Sequence, residues 1–220
     1  MHPPLTDVEV RILGSLLEKE VTTPEYYPLS LNALLAACNQ TTNRDPVMRL
    51  DENTATHHII ALRRGGLLRQ IQPVGSRVAK FAHLLEEVLK LGQRELALLG
   101  VLMLRGPQTT GELRTRTQRL HEFADVADVE SALAGLASRE PEPLVVMLPR
   151  RPGQREERWA HTLAGEAAAR AAGEAGPAEE RAPVAAAGDR VARLEAEMAA
   201  LRQELAELRG ELATFRRQFE

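Results

Sequence analysis

Two consecutive stretches of this chain show three helical patterns followed by two strand patterns, in the same order. That repeat narrows the accessible folds more than any other feature. In the first stretch, Thr6 or Asp7 can cap a helix whose apolar positions Val10, Leu13, Leu17 and Val21 recur at helical spacing, ending near Thr22-Thr23-Pro24. Past the turn-rich Pro24-Glu25-Tyr26-Tyr27-Pro28, Ser30 can cap a second, short helix with Leu31, Leu34 and Leu35 inward. A third helix spans Glu52 to Arg64 with Ala55, Ile59 and Leu62 inward, and Gly65-Gly66 ends it in the manner of a left-handed cap. Leu67 to Gln72 and Arg77 to Ala82 then read as two strands joined at Pro73-Val74-Gly75-Ser76. Between the second and third helices, Asn43-Arg44-Asp45-Pro46 reads as an ordered turn, because the residue before proline avoids the helical region. Such a turn either buttresses the third helix or serves as a binding loop.

The second stretch repeats the order. A strongly apolar helix from Gln93 to Arg105 stops at Gly106-Pro107, and Thr110 caps a short helix containing Leu113. A third helix from Ala124 to Ser138 turns Val129, Leu133 and Leu136 inward, and Leu144 to Leu148 and Arg158 to His161 form a hairpin around Arg150 to Gln154. Three helices and a hairpin make a winged helix. The fold class expected is mainly α with small β-hairpin wings: winged-helix domain 1 over residues 1–88 and winged-helix domain 2 over residues 89–164.

Composition changes after residue 164. Residues 165–188 are rich in Ala, Glu, Gly, Arg and Pro without an apolar stripe, so they are expected to act as a flexible linker or loose helix. In residues 189–220, Val191, Leu194, Met198, Leu201, Leu205, Leu208, Leu212, Phe215 and Phe219 alternate spacings of three and four, a heptad repeat with Val191 at a and Leu194 at d. Parallel pairing sets Arg190 against Glu195, Glu197 against Arg202, Glu204 against Arg209 and Glu211 against Arg216, all of opposite sign. Antiparallel pairing mostly opposes like charges. The tail is therefore expected to form a parallel coiled coil that makes the chain a homodimer.

The residue inventory excludes several function classes. With 28 Lys+Arg against 31 Asp+Glu, the net charge is -3, so no global field draws the protein onto nucleic acid and any basic surface is local. Aromatic residues are 3% of the chain, too few for a base-stacking platform. The single Cys38 sits in an apolar run and reads as a buried, inert thiol. There is no glycine-rich phosphate loop, no Cys/His metal spacing and no His-Glu-x-x-His segment, so no enzyme, cofactor or metal is expected. Glu18 and Glu20 read as solvated charge. No basic-then-apolar leader or membrane-spanning run is seen, which points to the cytoplasm.

Thr22-Thr23-Pro24-Glu25-Tyr26-Tyr27-Pro28-Leu29-Ser30, Ala37-Cys38-Asn39-Gln40, the Asn43 to Pro46 turn and Leu104-Arg105-Gly106-Pro107-Gln108-Thr109 to Leu113-Arg114 resemble the YceH family of bacterial proteins. The resemblance runs from about Leu5 to Leu163. It implies two winged-helix domains in tandem; it carries no established activity and no catalytic residue.

A winged helix can place its third helix in the major groove and its wing on phosphates, so the outward faces decide what such a chain binds. With Ala55 inward, a rotation of 100 degrees per residue turns Asn53, His57, Ile60 and Arg64 outward. Asn53 suits adenine and Arg64 guanine, whereas Ile60 equally suits a protein contact. Arg77 and Lys80 on the first wing suit phosphate. The adjacent His57 and His58 read as surface histidines, since neighbours on a helix cannot share a metal as an i, i+4 pair can. The second third-helix exposes Ala127, Ser131, Ala134, Gly135 and Ser138 beside Asp128 and Glu130, a surface suited to packing against a protein. Its basic neighbours are Arg114, Arg116 and Arg119, with Arg150, Arg151 and Arg155 in the wing turn. The expectation is a dimeric protein associated with double-stranded DNA, a transcriptional regulator among the roles open to it. The alternative is a protein-interaction scaffold, as tandem winged helices form in the kleisin-associated subunits of chromosome segregation complexes.

Overall fold

The structure is a computed structural model that describes residues 3–73, 75, 78–150 and 154–175. Helix α1 (Asp7–Thr22) starts at a capping box: the Thr6 hydroxyl accepts from the Glu9 N–H at 3.3 Å and the Glu9 carboxylate accepts from the Thr6 N–H at 2.8 Å. A two-residue strand, β1 (Leu29–Ser30), leads directly into α2 (Leu31–Cys38), whose first turn is closed by the Ser30 hydroxyl accepting from the Ala33 N–H. Helix α3 (Glu52–Arg64) is capped by Asp51 and stopped by Gly65 and Gly66, the latter at a φ of 71° that a side chain would resist. Strands β2 (Leu68–Ile71) and β3 (Lys80–His83) pair antiparallel, and β1 adds to the free edge of β3 with Leu29 opposite Phe81. The sheet order is β1-β3-β2. A short helix α4 (Leu85–Leu89) completes the first unit.

The second unit follows the same path. After α5 (Gln93–Arg105), Gln108 forms a single antiparallel bridge with Trp159 and leads into α6 (Thr110–Thr117), as Leu29 faces Phe81 and leads into α2. Then come α7 (Val126–Ala137), capped by Asp125, the hairpin β4 (Val145–Leu148) and β5 (Arg158–His161), and α8 (Glu166–Ala175). The fold is thus mainly α, with antiparallel sheets of three and two strands. The edge strand β1, the Gln108 bridge and α4 were not anticipated from periodicity. The cap expected at Thr110 falls on Thr109, which forms a second capping box with Glu112.

Two glycines set how the units meet. Gly14 in α1 and Gly100 in α5 each lie eight residues past their helix's N-cap. A Cβ on Gly14 would stand 3.1 Å from Cβ of Met103, and one on Gly100 would stand 2.8 Å from Cδ2 of Leu17. Met103 and Leu17 are themselves equivalent, eleven residues past the caps. The contact is therefore reciprocal: α1 and α5 cross antiparallel about a pseudo-two-fold axis, and the absent side chains let them approach. One continuous cluster of buried residues runs from Val10 to Trp159 through both units. Members of this cluster lie on both sides of residue 88.

Two features depart from the sequence pattern. Val21, the last member of the apolar repeat in α1, is 44% exposed, because the helical stripe continues past the point where the core ends. Residues 166–175, expected to be a flexible linker or loose helix, form α8, which is packed rather than loose: its Ala169 is buried with Leu148 and Ala160. Gly173 lies against Leu148, where a Cβ would overlap it. Alanine and glycine let this helix lie flat on the hairpin without the large apolar side chains that a stripe search relies on. The remainder of the linker and the expected coil over 189–220, from Val191 through Leu194, Met198, Leu201, Leu205, Leu208 and Leu212 to Phe215, lie outside the described residues. Among the described residues, no helix is long and apolar enough to cross a membrane.

Candidate nucleic-acid interface

The surface of α3 follows from its caps and its buried stripe. The Thr54 N–H and hydroxyl both donate to the Asp51 carboxylate at 2.8 Å, holding that carboxyl below its usual range. Ala55, Ile59 and Leu62 are buried, which fixes the helix's rotation. Asn53, His57, Ile60 and Arg64 are then all exposed, Ile60 by 41%. They form one stripe that spans twelve residues, or roughly 16 Å from first to last. Among the described residues, no hydrogen bond or ion pair engages the side chains of Asn53 or Arg64. His57 meets only the edge of His58, at a centroid distance of 5.3 Å. His58 is held inward instead, its Nδ1 3.5 Å from Glu9 and 3.3 Å from the Thr6 hydroxyl. The two rings therefore have separate surroundings. Lys80, at the start of β3, is half-buried, and Arg77 lies outside the described residues.

The second unit carries the same framework with other side chains. The N-caps Asp51 and Asp125 align α3 with α7, and the buried Ala55, Ile59 and Leu62 then match the buried Val129, Leu133 and Leu136. In that alignment Asn53, His57, Ile60 and Arg64 correspond to Ala127, Ser131, Ala134 and Ser138, all exposed. Four equivalent stations thus carry reaching side chains on one helix and truncated ones on the other. The arginines of this unit are mostly engaged. Arg116 is paired with Glu112 at 3.5 Å and donates to the Gln108 side chain. Arg158 donates to Glu112 at 3.0 Å and to the Pro107 carbonyl at 3.1 Å, so both arginines fasten the bridge strand. Arg114 donates to the Ala124 carbonyl at 3.3 Å, and Arg150 lies 3.9 Å from Glu157. Arg155 is exposed, and Arg151 is outside the described residues.

The Asn43 to Pro46 turn, open between buttressing the third helix and serving as a binding loop, faces α1 and α5. Arg44 is buried: its guanidinium donates to both carboxylate oxygens of Glu18, at 3.2 and 2.6 Å, and through Nε to the Ala37 carbonyl at 3.1 Å. The Asp45 N–H donates to the Leu104 carbonyl at 2.8 Å, and Arg105 donates to the Asn43 side chain. Arg11, equally buried, donates to the carbonyls of Cys38 at 3.3 Å and Pro46 at 2.7 Å. Desolvation lowers the Arg11 pKa to about 10. The link to α3 is indirect: Asn39 donates to the Leu50 carbonyl and accepts from its N–H, closing the loop that delivers Asp51 to its capping position.

Glu18 is therefore a partner in a clamp, and the solvated reading does not hold for it. Glu20 too has a partner, its carboxylate 2.8 Å from Nε2 of buried His83. That ring is held by the Leu85 N–H donating to Nδ1, and burial lowers its pKa. Cys38 is buried, and burial pushes its thiol up, away from the reactive thiolate. Among the described residues, no cluster of His, Cys, Asp or Glu has the grouping a metal ion needs.

Comparison with known proteins places this architecture. A family model described as "Protein of unknown function, DUF480" matches residues 5–154. A UPF0502 protein of Geobacter sulfurreducens is 52% identical over 217 residues, covering 98% of each chain. One from Geobacter metallireducens is 54% identical over 223 residues and covers both chains completely. One from Opitutus terrae is 51% identical over 197 residues, 90% of this chain and 83% of its own. These relatives agree with the resemblance to YceH proteins, and the alignments to both Geobacter proteins extend into the C-terminal tail. With half of its residues shared across its full length and the family model spanning both units, the chain belongs to the DUF480 family of bacterial proteins.

Proposed function

We propose that the protein is a non-catalytic, dimeric DNA-associated protein of the cytoplasm, built from tandem winged helices and suited to transcriptional regulation. The observation that carries this reading is the α3 stripe: Asn53, His57 and Arg64 project from a capped helix on a rigid core, and among the described residues nothing covers them. The edge strand pairing β1 with β3 ahead of α2 is the winged-helix connection, and it supports a major-groove approach by α3. The heptad repeat beyond residue 189 supports dimerisation, because its flanking charges complement one another only in parallel register.

Titration of a labelled duplex tests the reading. Binding is expected to weaken with salt at a log-log slope of about 0.9 per phosphate neutralised. Failure to bind at low salt more tightly than a neutral control protein refutes it. Light scattering tests the dimer, and a single-chain mass at tens of micromolar concentration refutes that part. A protein-interaction role is favoured at one place, the small-residue face of α7. A stoichiometric partner retained after nuclease treatment and lost on Ala134→Arg substitution would assign that face.

A further inference from the structure

The correspondence between α3 and α7 bears on which bases are read. At four stations on matched helices, with matched caps and matched buried stripes, one helix carries Asn53, His57, Ile60 and Arg64 and the other Ala127, Ser131, Ala134 and Ser138. The scaffold is common to both, so the difference lies wholly in the reach and chemistry of the side chains. Alanine and serine have short reach and offer no bidentate pair to a base edge, and Asp125 and Glu130 repel phosphates, while Asp128 is paired with Arg94 at 3.2 Å. Of the two matched helices, α3 is therefore the one equipped for base reading.

Resting on the DNA-association reading above, we infer that α3 reads a segment of about five base pairs with adenine at Asn53, a thymine methyl at Ile60 and guanine at Arg64. The length follows from the stripe: roughly 16 Å of helix divided by 3.4 Å per base pair. The bases follow from the side chains. An asparagine amide matches adenine's N7 acceptor and N6 donor, a guanidinium matches guanine's O6 and N7, and an aliphatic side chain among them matches the C5-methyl that distinguishes thymine. This also accounts for Ile60, an exposed aliphatic flanked along the helix by unengaged polar side chains. A protein-docking patch would surround it with apolar neighbours at its centre. Each chain thereby supplies one reading helix.

The test is selection of bound duplexes from a pool with a randomised core, using the full-length protein. The expected motif holds adenine and guanine columns about four to six base pairs apart with thymine between them. Asn53→Ala should erase the adenine column and Arg64→Ala the guanine column, each lowering affinity for the selected sequence by about ten-fold or more while leaving the other columns intact. Ser131→Ala, on α7, should leave the motif and the affinity unchanged. Because all three residues are exposed, their replacement leaves the core untouched, and an unchanged melting transition verifies this. Duplex binding without an enriched motif, or with columns that survive both α3 variants, overturns the inference and leaves the DNA-association reading standing. Absence of any duplex binding overturns both.

Discussion

Replacing Glu18 with glutamine tests whether the junction between the units rests on a buried charge. Both terminal nitrogens of Arg44 donate to the Glu18 carboxylate, and the side chains are 0% and 15% exposed. Removing one partner of a buried pair leaves the other charge uncompensated, at a cost of about 3–5 kcal/mol. Water reaching the partly exposed Glu18 and the carbonyls of Ala37 and Asn43 around Arg44 places the expected loss at the lower end, about 3 kcal/mol. With a urea dependence of about 2 kcal/mol per molar, the unfolding midpoint should fall by roughly 1.5 M. Glu87→Gln, on an exposed surface, should stay within about 0.5 kcal/mol of the parent. Replacing both partners with apolar residues, Glu18→Leu with Arg44→Met, should cost less than the two single changes summed, by about 1–3 kcal/mol. A Glu18→Gln protein that unfolds within about 0.5 kcal/mol of the parent would refute the clamp, since a solvated carboxylate predicts that result.

The helix crossing makes a second prediction. Gly100→Ala sets a Cβ 2.8 Å from Cδ2 of the buried Leu17, so overpacking of about 1–3 kcal/mol should exceed the roughly 1 kcal/mol that alanine gains in a helix, whereas Gly135→Ala, with nothing within 4 Å, should stabilise. Chemical denaturation of both variants reads the signs, and a stabilised Gly100→Ala protein would contradict the close approach. The third prediction concerns pH. Burial lowers the His161 pKa from 6.5 to about 4, against a smaller opposing pull from Asp7, and burial lowers His83 likewise. The unfolded chain therefore takes up these protons first as pH falls, so stability is complete above about pH 6.5 and declines toward pH 4. Urea midpoints that do not change between pH 6.5 and 5, where most carboxylates remain ionised, would count against it.

Helix boundaries were legible where side chains mark them. Gly65-Gly66 ends α3 and Gly106 ends α5, because caps act through residues within a turn of the end. The four stations of α3 were legible for the same reason: once Ala55 is inward, helix geometry alone orients its neighbours. What escaped depends on partners distant in sequence. β1 is two residues long and exists through Phe81, far along the chain. Arg11 sits within an ordinary amphipathic helix, and nothing local reveals that the carbonyls of Cys38 and Pro46 receive its guanidinium. Arg116 reads as a free basic residue, yet Glu112 and Gln108 engage it. α8 escaped because alanine and glycine pack through smallness, a property that apolar periodicity does not register.

The reciprocal packing of Gly14 and Gly100 gives the truncated stations of α7 their significance. α1 and α5 pack through equivalent positions, Gly14 against Met103 and Gly100 against Leu17, so the two units meet through the same helix of each. If both third helices read DNA, each chain would carry two reading heads, and a coil in the tail would add valency. With Ala127, Ser131, Ala134 and Ser138 at its stations, α7 would offer no bidentate partner to a base edge. A palindromic target then requires a second chain, which is what the parallel heptad repeat after residue 189 would provide. The second unit still supports the first structurally. Through the Leu104 carbonyl and Arg105 it anchors the Asn43 to Pro46 turn, and the Asn39–Leu50 clip of the same loop sets the start of α3. Loss of the junction should therefore loosen α3 even though no junction residue lies on its exposed face.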